Sequence, residues 1–137
     1  MQKKFEAVLG ENELLNLVQI LPKTGIVLLQ GNLACGKTTL VKAIAKSRGF
    51  KDTVSSPTFS LMQNYGEIYH YDIYRVGFNA ITQNGLFENI FEDGLHLIEW
   101  GDDNLIKALK KYEMNFYIVK ITAQISENKR KYEVFYA

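Results

Sequence analysis

The chain has 137 residues, of which 47% are hydrophobic and 23% charged, a composition typical of a globular domain with one apolar core. It has no apolar run near the roughly 18 residues that a membrane-spanning helix needs, and a single cysteine excludes a disulfide within the chain. The net charge is +1, which does not by itself indicate a nucleic-acid-binding protein. We therefore expect one cytoplasmic domain over residues 1–137 without membrane association.

Strand-like and helix-like patterns alternate along the chain, judged from the spacing of apolar residues and from glycine and proline breaks. In chain order, the predicted elements are strand 5–8, helix 11–21, strand 26–30, helix 38–48, strands 60–65 and 67–74, a weaker helix 79–92, strand 95–98, helix 104–112, and strands 114–123 and 130–136. This order predicts an α/β fold, because intermixed strands and helices form a sheet that helices cover on its faces.

Residues 31–38 read Gly-Asn-Leu-Ala-Cys-Gly-Lys-Thr and match the phosphate-loop (P-loop) pattern G-x-x-x-x-G-K-[ST]. The loop follows a predicted strand and precedes a predicted helix, as the pattern requires. Its backbone N–H groups and the helix N-terminus would bind phosphate, with Lys37 on the outer phosphates and the Thr38 hydroxyl on Mg²⁺. The alternative is a glycine turn that only caps the helix. The candidate nucleotide-binding residues are Gly31, Asn32, Leu33, Ala34, Cys35, Gly36, Lys37, Thr38 and Thr39.

The position of this loop makes the predicted fold more specific. We expect a three-layer sandwich of the P-loop NTPase type, in which a mostly parallel central sheet carries added antiparallel strands. Ligands of such sheets bind at the carboxyl ends of the strands. The remaining catalytic groups are therefore expected at those strand ends.

Two acidic residues, Asp72 and Glu99, stand at the carboxyl ends of strand-like runs. Hydrolysis of a nucleotide needs carboxylates there, one to hold Mg²⁺ and one to orient the attacking water. For each residue the alternative is an exposed carboxylate without a role. We predict that Lys37, Asp72 and Glu99 are catalytic, and that Thr38, Asp72 and Glu99 contribute to the metal site.

Three further features have both a functional and a structural interpretation. Ser56 and Thr58 follow the loop by about twenty residues, where a hydroxyl could sense the γ-phosphate, but a proline turn with local capping is equally compatible. His70 and His96 have apolar neighbours in predicted strands, so structural roles are expected. Trp100, next to Glu99, is expected to report nucleotide binding.

Four motifs occur in order along the chain: the loop 31–39, Ser56-Pro-Thr-Phe59, His70-Tyr-Asp-Ile-Tyr-Arg75 and Leu97-Ile-Glu-Trp100. Together they resemble the bacterial TsaE family, over about residues 25 to 101. The resemblance implies an ATPase that binds ATP and Mg²⁺ and supports threonylcarbamoyladenosine modification of tRNA. It also implies a TsaD–TsaB complex as the partner that activates a weak intrinsic ATPase, and a tRNA association that runs through that complex.

The resemblance also assigns roles to individual residues. It implies that Lys37 and Thr38 hold phosphate and magnesium, that Glu99 is a magnesium or catalytic carboxylate, and that Asp72 belongs to the same site. Arg130 lies where the family often has a basic residue before its last strand, which implies a further nucleotide contact. The loop departs from the family's usual Gly-Asp-Leu-Gly-Ala-Gly-Lys-Thr at positions 34 and 35, and alanine at 34 is strained if that position needs a positive φ.

Two other functions are compatible with the phosphate loop. A small-molecule kinase usually adds arginines and a lid that clamp the transferred phosphoryl group, whereas this chain has only Arg48, Arg75 and Arg130. A nucleotide-dependent adaptor would bind ATP without significant turnover, and the carboxylates would serve its metal equally well. A GTPase is disfavoured, because the chain lacks the guanine-specifying Asn-Lys-x-Asp.

Overall fold

The computed structural model describes residues 1–31, 36–50, 62–73, 85–100, 103–123 and 128–136. The strands in this part are β1 (Gln2–Gly10), β2 (Gly25–Gln30), β3 (Met62–Tyr65), β4 (Ile68–Asp72), β5 (Leu95–Glu99), β6 (Tyr117–Ala123) and β7 (Lys129–Tyr136). The helices are α1 (Leu15–Ile20), α2 (Lys37–Ser47), α3 (Leu86–Asn89) and α4 (Asp103–Lys111), with a 3-10 turn at Glu11–Glu13. Within the described ranges, no helix combines the length and the apolar character that crossing a membrane requires.

The described strands form one seven-stranded sheet in the order β1-β7-β6-β2-β5-β4-β3. Its centre is parallel, because β2 pairs in parallel with both β5 and β6, and β4 pairs in parallel with β5. The remaining strands are antiparallel additions, with β3 on β4 at one edge and β7 and β1 beyond β6 at the other. The predicted α/β class, mostly parallel with added antiparallel strands, is confirmed.

Helices cover both faces of the sheet, as the three-layer prediction requires. One face packs against α1 and α2, where Leu17, Leu40 and Ile44 are buried. The other face packs against α4, where Leu105 and Leu109 are buried. Strand β2 lies in the middle and buries its whole apolar run, which is why its sequence is continuously hydrophobic rather than alternating. Each fully buried leucine or isoleucine contributes about 1.5–3 kcal/mol to folding.

Two predicted boundaries at the start of the chain are wrong. The first strand is longer than the predicted 5–8, because it pairs with β7 along its length, from the Gln2–Tyr136 pair to the Gly10–Lys129 pair. The predicted helix 11–21 is a 3-10 turn followed by the short α1. In that turn the Gly10 N–H donates to the Glu13 carboxylate at 2.9 Å, so the chain changes direction there before α1 begins. Neither long-range pairing nor this local turn is visible in apolar spacing.

Most of the other predicted elements agree with the structure where it describes them. The strand predicted over 114–123 begins only at Tyr117, and residues 90–92 of the helix predicted over 79–92 are not helical. The predicted strands 26–30 and 95–98 and the helices 38–48 and 104–112 correspond to β2, β5, α2 and α4 with ends shifted by one residue. The predicted helix 79–92 is described only from residue 85, where α3 is a single turn. Residues 60, 61, 74 and 79–84 of the predicted elements lie outside the described part.

His96 has the structural role that its apolar neighbours indicate. The ring is buried and stacks on Tyr69, with the ring centroids 4.6 Å apart. The Tyr71 hydroxyl donates to Nδ1 at 2.8 Å, and Nε2–H donates to the Glu92 carbonyl oxygen at 2.8 Å. A neutral ring satisfies both contacts. Burial lowers the pKa of His96, although its hydrogen bond to the Glu92 carbonyl acts in the opposite direction.

We expect acid to destabilise the protein partly through His96. Its pKa in the folded state lies below the unfolded value of about 6.5, so on acidification the unfolded chain binds the proton first. The stability that neutral His96 contributes is therefore present above about pH 6.5 and is lost as the pH falls toward the lower folded pKa. Thermal unfolding at pH 7.5 and pH 5.5 tests this: the Tm of His96→Gln should fall less on acidification than the Tm of the wild type. Equal losses in the two proteins would contradict this assignment.

Candidate functional site

The phosphate loop connects the carboxyl end of β2 to the amino end of α2, where Gly31 and Gly36 lie next to these elements. Gly36 has a φ of 96°, a conformation that side chains rarely adopt. A Cβ atom at Gly36 would also lie 3.0 Å from the Nε atom of Arg130. The backbone conformation therefore favours glycine at this position, and any side chain there would press against Arg130. The predicted loop residues Asn32, Leu33, Ala34 and Cys35 lie outside the described part of the chain.

Lys37 is the first residue of α2, and its side chain turns back across the loop. Its exposed fraction is only 3%, and Nζ donates to the Gly31 carbonyl oxygen at 2.9 Å. The same Nζ lies 3.8 Å from the centroid of the Trp100 ring. A buried ammonium group is costly without partners, and a carbonyl oxygen and an aromatic face both stabilise it. The charge is thus held beside Gly31, the first residue of the loop, and in P-loop proteins this lysine binds the outer phosphates.

Trp100 has an unusual backbone conformation, with a φ of 66°. A bulky residue in this left-handed region costs of the order of 1–3 kcal/mol and persists only when its surroundings hold it. Its N–H donates to the Leu29 carbonyl oxygen at 3.1 Å, which extends the pairing of β5 with β2 by one residue. The conformation brings the indole ring to the Lys37 ammonium group. This contact supports the use of Trp100 as a reporter of nucleotide binding, which stays a prediction.

Glu99, the last residue of β5, faces the first turn of α2. The Oγ1 atom of Thr38 lies 3.3 Å from Oε2 and 3.4 Å from Oε1 of the Glu99 carboxylate. The carboxylate is buried, with 3% of the residue exposed. The fold therefore brings together two residues that are 61 positions apart in the sequence. A hydroxyl and a carboxylate oxygen are both donors that Mg²⁺ accepts.

Asp72, the last residue of β4, lies beside Glu99. The two residues are Cα partners in the parallel pairing of β4 with β5, so their side chains project from the same face of the sheet. Paired strands lie about 4.8 Å apart, which makes the two carboxyl groups close neighbours. The face is the one that α2 covers, because the Glu99 register partner Leu29 packs in the same cluster as Leu40. The geometry thus brings Asp72, Glu99 and Thr38 to one place, while their roles stay predictions.

The donor set at this place fits a metal ion that is shared with a nucleotide. Among the described residues there is no group of three or more His, Cys, Asp or Glu side chains that could hold a metal ion. Mg²⁺ in nucleotide sites is usually bound by one or two carboxylates together with substrate phosphates. Thr38, Glu99 and Asp72 supply such oxygen donors next to the phosphate loop.

Arg130 lies beside Gly36, at the end of the loop next to α2. It is the second residue of β7, which begins at Lys129. Its Nε, Cδ and Cζ atoms lie 3.0 to 3.3 Å from an ideal Cβ on Gly36. The Nε atom is buried, and no described residue accepts a hydrogen bond from it. A guanidinium group with an unused donor beside a phosphate loop is suited to an anion.

The remaining predicted site residues differ in how far the structure describes them. Thr39 is a half-buried residue in the first turn of α2. Ser56 and Thr58, the candidate switch residues, lie outside the described ranges. Arg75, the last residue of the motif at positions 70–75, also lies outside them. Their roles stay predictions.

His70 is the residue that sequence reasoning missed. Its side chain is fully buried, and its Nε2 atom lies 2.5 Å from Oε2 of Glu99. The expectation of a purely structural histidine therefore applies to His96 and not to His70. The alternation of Ile68, His70 and Asp72 along β4 already put His70 on the same face as Asp72. This alternation could have identified His70 as a neighbour of the candidate site, but its apolar sequence neighbours favoured a structural role instead.

Comparison with protein families identifies the family of this chain. The family model for "Threonylcarbamoyl adenosine biosynthesis protein TsaE" matches residues 8–132, which is nearly the whole chain. The chain belongs to the TsaE family. Membership of the TsaE family, together with the strand, loop and helix of the site, indicates a P-loop nucleotide-binding protein.

Individual relatives agree with the family match. The tRNA threonylcarbamoyladenosine biosynthesis protein TsaE of Treponema pallidum is 36% identical over 88 residues, which are 61% of this chain and 65% of the relative. The TsaE protein of Aquifex aeolicus is 31% identical over 126 residues, which are 87% of this chain and 83% of the relative. The chain thus spans just under two thirds of the Treponema protein and most of the Aquifex protein.

A solved structure has the same fold. The crystal structure of Bacillus subtilis YdiB superimposes with a TM-score of 0.69 and covers 100% of this chain and 88% of the YdiB chain. The two sequences are 23% identical, so this similarity supports the fold alone. It confirms the three-layer α/β architecture that the order of elements predicted.

Proposed function

We propose that this protein is a single-domain, cytoplasmic ATPase that uses Mg²⁺ and supports threonylcarbamoyladenosine modification of tRNA together with a TsaD–TsaB complex. Family membership supports the pathway, since the family description and its relatives carry that name. The observation that carries the proposal is the contact of Thr38 with the Glu99 carboxylate, at 3.3 Å, beside the loop that holds Lys37. A glycine turn that only capped a helix would not need a carboxylate there.

Binding of ATP would depend on three positive groups around the loop. The N-terminus of α2 directs backbone N–H groups and a partial positive charge toward the loop. The Lys37 ammonium group would exchange its bond to the Gly31 carbonyl for the β- and γ-phosphates. Arg130, whose side chain lies close to Gly36, would direct its unused Nε–H toward a phosphate. Together these groups offset part of the negative charge of the triphosphate.

Hydrolysis would use the carboxylates at the ends of β4 and β5. When bound, Mg²⁺ would neutralise part of the negative charge that develops on the phosphoryl oxygens. The Thr38 hydroxyl and the Glu99 carboxylate would hold that ion, together with the phosphates. Asp72, beside Glu99, would accept a hydrogen bond from the attacking water and orient it. The water oxygen bonds to the γ-phosphorus as the bond to the β–γ bridging oxygen breaks, which yields ADP and phosphate.

The decisive experiment measures phosphate release by the purified protein alone and with a bacterial TsaD–TsaB complex. We expect slow turnover alone and at least roughly tenfold faster turnover with the complex, because the resemblance implies a partner-activated enzyme and conformational gating commonly limits such rates. The same complex without this protein is the control. The chain has one tryptophan, so ATP binding can be followed in parallel through Trp100 fluorescence.

The other outcomes favour the other functions. Turnover that the complex does not change would favour a kinase and direct the search to a phosphoryl acceptor. Absence of turnover in both cases, with a fluorescence change on ATP addition, would favour a nucleotide-dependent adaptor. The proposal links the protein to tRNA through the complex, so tRNA without the complex is expected to leave turnover unchanged.

A further inference from the structure

His70 and Glu99 form a buried pair at the carboxyl ends of neighbouring strands. Their side chains are 0% and 3% exposed, and the His70 Nε2 atom lies 2.5 Å from Glu99 Oε2. No described residue lies within hydrogen-bond distance of the other ring nitrogen, Nδ1. His70 therefore makes one polar contact within the described part of the chain, and that contact is with a carboxylate of the candidate site.

The geometry determines which ring nitrogen carries the hydrogen. With the hydrogen on Nε2, His70 donates to the Glu99 carboxylate and leaves only a lone pair on Nδ1. With the hydrogen on Nδ1, two lone pairs would face each other across 2.5 Å, and a buried N–H group would have no partner. The first arrangement is strongly favoured, so His70 is the donor and a Glu99 carboxylate oxygen is the acceptor.

This hydrogen bond restricts the position of the Glu99 carboxylate. The Glu99 carboxylate is buried, and Asp72 is the register neighbour of Glu99 on β4. The His70 donor holds Oε2 on the side of β4, and both carboxylate oxygens remain within 3.4 Å of the Thr38 hydroxyl. A side chain that fixes a metal-binding carboxylate in this way commonly changes metal affinity or activity by 10- to 100-fold when it is removed.

We propose that His70 is a positioning residue, whose Nε2–H holds Glu99 toward Thr38 so that Mg²⁺ binds together with the nucleotide. The metal part of this inference rests on the proposed function. His70 touches neither the nucleotide nor the metal in this arrangement, and it acts through Glu99 alone. A histidine that only filled space in the core would have no effect on metal binding.

The test compares three substitutions at His70. His70→Leu removes the donor, and His70→Gln keeps an N–H near the position of Nε2. His70→Asn keeps a similar polarity but carries its amide near the position of Nδ1, too far from Glu99. The matched control is His96→Leu, which removes the other buried histidine from the opposite face of the sheet. Thermal unfolding of each variant establishes that it is folded.

The main readout is the Mg²⁺ concentration that half-saturates the ATP-dependent change in Trp100 fluorescence, measured alongside kcat and KM with the TsaD–TsaB complex. We expect His70→Leu and His70→Asn to raise the half-saturating Mg²⁺ concentration at least about tenfold and to lower kcat similarly, with little change in the KM for ATP. His70→Gln should restore both values to within about threefold of the wild type, a rescue that a space-filling role would not produce. Mg²⁺ dependence that is unchanged in His70→Leu, or equally shifted in His96→Leu, would overturn the proposal.

A second readout does not depend on nucleotide. Long-range ¹H–¹⁵N NMR of the protein alone should place the His70 hydrogen on Nε2, and Glu99→Leu should shift that resonance. A hydrogen on Nδ1, or a resonance that Glu99→Leu leaves unchanged, would overturn the positioning role. If the wild type shows no Mg²⁺-dependent response to ATP, the proposed function fails, and this resonance alone then decides whether His70 holds Glu99.

Discussion

Replacement of Lys37 by alanine is expected to weaken ATP binding by about 100-fold or more. Charge-assisted hydrogen bonds contribute about 1.5–3 kcal/mol each, and the ammonium group is expected to make two of them to the outer phosphates. Folding should be retained, because the change removes a buried charge together with its contacts to the Gly31 carbonyl oxygen and the Trp100 ring. Binding is best measured by calorimetry, since Lys37 lies against the Trp100 ring and its loss would alter the fluorescence directly.

Lys42→Ala is the matched control for the Lys37 substitution. Lys42 belongs to the same helix and is exposed, so its removal changes the net charge equally without touching the loop. We expect its ATP affinity to stay within about twofold of the wild type, because exposed charges at a distance are screened. An equal loss in both variants, or retained affinity in Lys37→Ala, would contradict the assignment of the loop as the phosphate site.

Glu99→Gln is expected to lower partner-stimulated ATP hydrolysis by roughly 100-fold or more, with ATP binding within about threefold of the wild type. Removal of one group that stabilises developing charge typically costs of the order of 100- to 1,000-fold in kcat. Glutamine keeps the size of the side chain, and its amide oxygen still accepts from His70, so the fold and the loop are retained. The measurement is steady-state phosphate release with the TsaD–TsaB complex, together with calorimetric binding of ATP.

Glu88→Gln provides the control for the loss of one carboxylate. Glu88 is exposed on α3, on the face of the sheet away from α2. Its substitution should leave both turnover and binding unchanged. If Glu99→Gln keeps the full partner-stimulated turnover, the carboxylate beside Thr38 is not catalytic. Asp72 would then be the candidate catalytic carboxylate, and the same assay on Asp72→Asn would test it.

Local patterns in the sequence determined most of the fold class and the centre of the site. The continuous apolar run of β2 predicts a strand buried on both faces, because only parallel central strands bury every side chain. The glycine spacing of residues 31–38, directly after that strand, predicts a phosphate loop, since the motif is contiguous and needs no distant partner. Asp72 and Glu99 were identifiable because each ends a strand, and parallel strand ends meet at one edge.

The tertiary structure alone decided which side chains meet. Strand register brings Asp72 beside Glu99, and the packing of α2 on the sheet places Thr38 within 3.3 Å of that carboxylate. The pairing of β4 with β5 brings His70 to Glu99, 29 residues away, and the position of β7 brings Arg130 against Gly36. These contacts depend on register and long-range packing, which apolar spacing does not encode. The sequence thus specified which elements form, and only their assembly specified which residues surround the phosphate loop.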